Sequence, residues 1–72
     1  MTKELLLEKK EEEVRKLSDE IRDAVDKFES ECDTFLLKRV KAAGRRSRKQ
    51  SLFLEKLLKE WRKKSVELEK LR

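Results

Sequence analysis

Leu7, Val14, Ile21, Phe28 and Phe35 fall seven residues apart without a miss. Leu17 and Ala24 fill the companion positions early, and Val25, Cys32 and Leu36 take over on the adjacent edge of the stripe. An apolar residue every seven keeps one side of a helix facing a partner, so this run predicts a helix that packs lengthwise on another. Thr2 is placed to cap it, and Glu4 lies in the first turn, at the positive end of the helix dipole. Glu11–Arg15, Glu12–Lys16 and Asp23–Lys27 are acid-first pairs four apart, each adding about a few tenths of a kcal/mol. The predicted helix runs from about Lys3 to about Val40, roughly 55 Å at ~1.5 Å per residue.

The stripe then lapses. No apolar residue stands between Gly44 and Ser51, and Gly44 is the chain's single glycine, free to adopt a left-handed backbone. Ser47 with Gln50 three residues on has capping-box spacing. Leu54, Leu57, Leu58, Trp61 and Leu68 then restore the stripe. The pattern therefore predicts a basic turn over about 41–47 and an amphipathic helix over about 47–71, in a single helical unit spanning 1–72. The expected fold is all-α: a two-helix antiparallel coiled-coil hairpin. A single hairpin leaves flanks such as Leu36 and Phe53 uncovered, so dimerisation into a four-helix bundle is expected as well. The alternative is one long continuous helix in a coiled coil, because Ala42 and Ala43 are strong helix formers. Against it, a continuous rod would lose its packing partner over two turns where seven cations repel one another.

Charge divides the chain. Residues 1–33 carry seven basic and twelve acidic side chains, a net of −5, and residues 34–72 carry fourteen basic and four acidic, a net of +10. Between Lys38 and Lys49 stand seven Lys or Arg and no acid. Such a local excess of one sign points to a polyanionic partner, most often nucleic acid. Charged residues make up 51% of the 72 and hydrophobic ones 36%, a balance that with helical periodicity describes long helices rather than disorder. So short a chain cannot bury a sizeable core alone, which again favours helix packing and oligomerisation.

Wound at about 100° per residue from Arg45, the second helix places Arg45, Lys49, Lys56, Lys59, Lys63 and Lys70 within about 40° of one line. Arg48 and Arg62 flank that line, Leu52 and Glu67 interrupt it, and the apolar stripe lies on the opposite side. Lysines opposite an apolar stripe are commonly no more than a solvated face. Here the strip is nearly uniform and continues into the Lys38–Lys49 run, whereas the first helix mixes signs on its exposed side. Successive cations about 5–11 Å apart suit the phosphates of duplex DNA, and each phosphate neutralised releases condensed counterions. With no Asn and a single Gln, bidentate readout of adenine has almost no donors. Three of the four aromatic residues sit on packing stripes, so the expected contact is with the backbone and discriminates little between bases.

Other chemistry finds little support. There is no His, no Tyr, no glycine-rich phosphate loop and no paired-cysteine spacing, so neither an enzyme, a metal site, a cofactor nor a small-molecule substrate is expected. Glu11-Glu12-Glu13 reads as a helix face. Cys32 reads as a small seam residue beside Phe28 and Phe35, and a lone cysteine fits a reducing cytoplasm. No stretch reads as a membrane span or signal peptide.

From Lys41 the chain resembles the bacterial linker-histone-like family, small nucleoid proteins of chlamydiae with short relatives in other bacteria. The resemblance rests on Lys41-Ala42-Ala43-Gly44, Arg46, Arg48-Lys49, Ser51-Leu52, Leu54-Glu55-Lys56, Lys59-Glu60, Trp61-Arg62-Lys63 and Ser65-Val66-Glu67. It covers about residues 41–67, with Trp61 where the family usually has Phe or Tyr. It implies non-specific DNA binding, a place in the nucleoid, and Arg46, Arg48, Lys49, Lys56, Lys59, Arg62 and Lys63 as DNA contacts. Resembling sequences often carry Gly-Asn directly before the KAAG run, where Arg39-Val40 stand here. The chlamydial members also carry long Lys/Ala/Pro-rich tails and this chain stops at Arg72, so bridging by a dimer would have to replace a tail.

The expected function is that of an architectural, histone-like DNA-binding protein of the bacterial nucleoid. It would grip duplex phosphates through Lys41, Arg45, Arg46, Arg48, Lys49, Lys56, Lys59, Arg62 and Lys63. Leu7, Val14, Ile21, Phe28, Phe35, Leu54, Leu57, Leu58, Trp61 and Leu68 would serve helix packing and a homodimer. The alternative is a coiled-coil interaction module whose acidic half binds a basic partner or its own basic half.

Overall fold

Thr2 opens the first helix in an extended conformation, and its Oγ1 accepts a hydrogen bond from the Leu5 backbone N–H at 3.3 Å. In the computed structural model, which describes residues 2–72, α1 runs Lys3–Leu37 and α2 runs Lys41–Leu71. The two lie antiparallel, 54 × 14 × 14 Å overall. Cross-helix contacts fix the register: Glu31 with Arg46, Ser18 with Trp61, Glu13 with Lys64, and Lys10 with Glu67. The chain is thus all-α and a helical hairpin, and the single continuous helix is excluded.

The turn lies earlier than the sequence suggests. Lys38, Arg39 and Val40 make the connection, and residues 41–47 form the first two turns of α2 instead of a loop. Arg39 supplies the reversal with φ 56°, the left-handed region where a Cβ is strained. The Thr34 carbonyl accepts from both Lys38 N–H at 3.2 Å and Val40 N–H at 3.5 Å, which closes the end of α1. Ser47 caps nothing: buried within α2, its hydroxyl donates to the Gly44 carbonyl at 2.8 Å. Ala42 and Ala43 propagate helix through the segment. Gly44 serves a close approach, since a Cβ there would stand 2.8 Å from the Phe35 ring.

Arg39 is a non-glycine residue held in a left-handed backbone. Arg39→Gly is therefore expected to stabilise the hairpin. It removes roughly 1–2 kcal/mol of left-handed strain against roughly 0.5–1 kcal/mol of added chain entropy. In a circular-dichroism melt, Tm should rise by about 4 °C. An unchanged or lower Tm counts against a strained turn.

The core forms along a line neighbouring the predicted one. Leu17, Ala24 and Leu57 are buried together, with Ile21, Leu54 and Trp61 packed against them, and Ala43 and Leu68 are buried nearer the two ends. On α1 the deepest line is Lys10, Leu17, Ala24, Glu31, also spaced by seven. Its two ends are charged and reach across the hairpin, Lys10 to Glu67 at 2.8 Å and Glu31 to Arg46 at 2.7 Å. Leu7, Val14, Ile21 and Phe28 flank this line half-buried.

Two of the expected packing residues lie outside the seam. Leu58 is 42% exposed because it stands about 100° beyond Leu57 on α2, past the edge α1 can cover. Phe35 is 41% exposed, its ring lying close against Gly44. Trp61 anchors the middle: its indole N–H donates to Ser18 Oγ at 3.0 Å, and that hydroxyl donates to the Val14 carbonyl at 3.0 Å. Leu36 and Phe53 stay exposed on the flanks.

Candidate nucleic-acid interface

Because the seam of α2 is occupied by Ala43, Leu54, Leu57, Trp61 and Leu68, the helix turns its basic line outward. Lys41, Arg45, Arg46, Arg48, Lys49, Lys56, Lys59, Arg62 and Lys63 are all exposed, and so is Lys70. From Arg45 to Lys63 the line extends roughly 27 Å at ~1.5 Å per residue. With the turn at 38–40, Lys41 to Lys49 stand on rigid helix and share its spacing.

Neutralisation by the acidic half is selective. Arg46 Nε donates to Glu31 Oε2 at 2.7 Å, which draws it toward the groove between the helices. Lys64 lies 3.7 Å from Glu13, and Arg72 lies 3.7 Å from Glu11. Among the described residues, the other eight predicted contacts have no carboxylate at ion-pair distance. Glu67, which interrupts the basic line in sequence, points to α1 and accepts from Lys10. Leu52 remains exposed within the line. The opposite side of the hairpin is acidic, with Asp19, Asp26, Glu29 and Asp33 exposed on α1.

At the open end of the hairpin, Lys10, Glu13, Lys64 and Glu67 form one ionic cluster. The hydrogen bond from Lys10 holds the Glu67 carboxyl below the usual glutamate range, against the opposing pull of desolvation. Contact with Lys10 also lowers Glu13, again opposed by desolvation, and the two carboxylates in turn raise Lys10. Glu13 Oε2 is closed off from solvent without a well-aligned hydrogen bond, and ammonium groups at 3.1 Å (Lys10) and 3.7 Å (Lys64) compensate its charge. This cluster fastens the helix ends and lies apart from the outward line.

One feature lay beyond the sequence pattern. Lys27 of α1, visible there only as a partner for Asp23, faces Arg46, Lys49, Gln50 and Phe53 of α2 across an open cleft. Only the register of the two helices brings it to the basic side. Among the described residues no cluster suits a metal ion, and no helix is long and apolar enough to cross a membrane.

The model of one protein family, Histone H1-like protein Hc1, matches residues 15–71. No curated protein and no solved structure matches the chain.

Proposed function

The chain belongs to the histone H1-like Hc1 family, a structural, DNA-binding family of the nucleoid, and on that premise we propose that it coats duplex DNA by laying the outer line of α2 along the phosphates. The observation that carries this reading is the set of eight exposed cations with no carboxylate partner, all on one helix of a hairpin whose seam faces the other way. Five of the eight are lysines, point charges on flexible stems that neutralise a phosphate without reading a base edge, and Arg45, Arg48 and Arg62 can grip phosphate oxygens bidentately. Binding is accordingly insensitive to sequence and driven by counterion release. The protein acts in the bacterial nucleoid, as a scaffold and not as a catalyst.

A homodimer belongs to the same reading. Leu36 and Leu58 are exposed on the hairpin, and apolar groups left in water at this density favour a second copy. A symmetric dimer would carry two basic lines and could bridge two duplexes.

The test is a titration of unrelated duplexes over rising salt. Five to seven engaged cations give a slope of log K against log salt of roughly −4 to −6, the same for every sequence. A flat slope, or no binding near 50 mM salt, leaves the coiled-coil interaction module as the reading.

A further inference from the structure

Phe53 is the one aromatic residue that neither belongs to the seam nor covers a neighbour of the turn. It is 51% exposed and stands on the edge of α2 that faces α1. With Lys27, Glu31, Arg46, Lys49 and Gln50 it lines an open cleft of about 520 Å³. Arg46, Lys49, Gln50 and Phe53 follow the i, i+3, i+4, i+7 spacing of a single helix edge, so the four side chains rise side by side. Beyond the ring, away from the turn, a second hollow shares Lys27, Gln50 and Phe53 and ends at Glu20 and Asp23. The ring thus has cations at its turn end, carboxylates at its far end, and the chain's only side-chain amide between them.

We propose that this cleft is a second nucleic-acid site, which takes an unpaired nucleotide of a single strand. The base stacks on the Phe53 ring, and the adjoining phosphates meet Lys49 and Lys27. Arg46, shared with Glu31, is the weaker third cation. Gln50 both donates and accepts, so it can meet the edge of any base, while Glu20 and Asp23 accept from exocyclic amino groups and keep phosphate at the opposite end. Sequence tolerance follows, because every base has a face to stack. Lys49 also stands on the outer line of α2, so a duplex seated there runs directly into the cleft at any frayed or unpaired junction. The inference rests on the nucleic-acid reading of that line and adds a preference the line alone would not have.

The test uses fluorescence anisotropy with the full chain, a blunt duplex and a single strand of equal length. Phe53→Leu is expected to weaken single-strand binding about fivefold or more and to leave blunt-duplex binding within about twofold, since stacking is lost while charge is untouched. Phe53→Trp should restore the single-strand affinity. Unchanged single-strand binding by Phe53→Leu, with duplex binding intact, overturns this site alone. Equal weakening on both probes, or a change in sedimenting mass without nucleic acid, also overturns it and assigns Phe53 to the fold or to a second copy. Failure of the unaltered chain to bind the blunt duplex would instead remove the reading on which the site rests.

Discussion

Alanine at Arg45, Lys56, Lys59 and Lys63 together is expected to weaken duplex binding by between three and four orders of magnitude near 0.1 M salt. Each phosphate contact contributes about 0.9 to the slope of log K against log salt, which near 0.1 M amounts to about eightfold per contact relative to 1 M. Four contacts multiply, and the slope should become shallower by about 3.6 units. The helices should survive, because all four side chains are exposed and alanine is the better helix former. Far-UV circular dichroism checks the fold, and anisotropy on two unrelated duplexes checks affinity. A loss of tenfold or less with an unchanged slope would show that DNA lies elsewhere on the hairpin.

The second large effect concerns stability and separates two adjacent leucines. Leu57 is 5% exposed in the cluster with Leu17 and Ala24, and burying Leu then truncating it to Ala costs about 2–5 kcal/mol. A chain of this size has roughly 4–10 kcal/mol in total, so Leu57→Ala should lower Tm by about 10 °C at least and approach global unfolding. Leu58→Ala, one position on, should cost less than about 1 kcal/mol in an isolated hairpin, since that side chain stays largely in water. If the exposed flank is a dimer contact, the cost of Leu58→Ala will grow with protein concentration. Melts at two concentrations read both quantities. Similar losses for the two variants at low concentration would contradict the seam described above.

Most of the architecture was legible because helices announce themselves by spacing. The Thr2 cap, the sevenfold run from Leu7 to Phe35 and the return of leucines after Ser51 needed no tertiary information. The turn was misplaced for a physical reason. Gly44 and the Ser47–Gln50 spacing carry the sequence signals of a break, yet one answers the approach of the Phe35 ring and the other is simply helix. The actual reversal rests on Arg39, a residue type that seldom takes a left-handed backbone, so nothing in the sequence marks it. The deepest seam line was legible only in its middle, as the companion positions Leu17 and Ala24, since Lys10 and Glu31 end it in charge and hydrophobic patterning passes over them.

The basic line was legible because it needs only one helix and the angle per residue. The early turn moved none of its members to another face and lengthened the helix that carries them. The pairing of Arg46 with Glu31, the ion pair of Glu67 with Lys10 and the approach of Lys27 to Phe53 depend on the register between helices. No single-helix argument reaches them.

The acidic row on the far side of α1 has a consequence for any crowd of these molecules. A chain seated by α2 turns Asp19, Asp26, Glu29 and Asp33 away from the duplex. A coated filament would therefore keep a negative skin, repel its neighbours and stay dispersed where a uniformly cationic protein would precipitate it. Condensation would then fall to the exposed apolar side chains Leu36 and Leu58, so that salt would set coverage and protein concentration would set the gathering of coated strands.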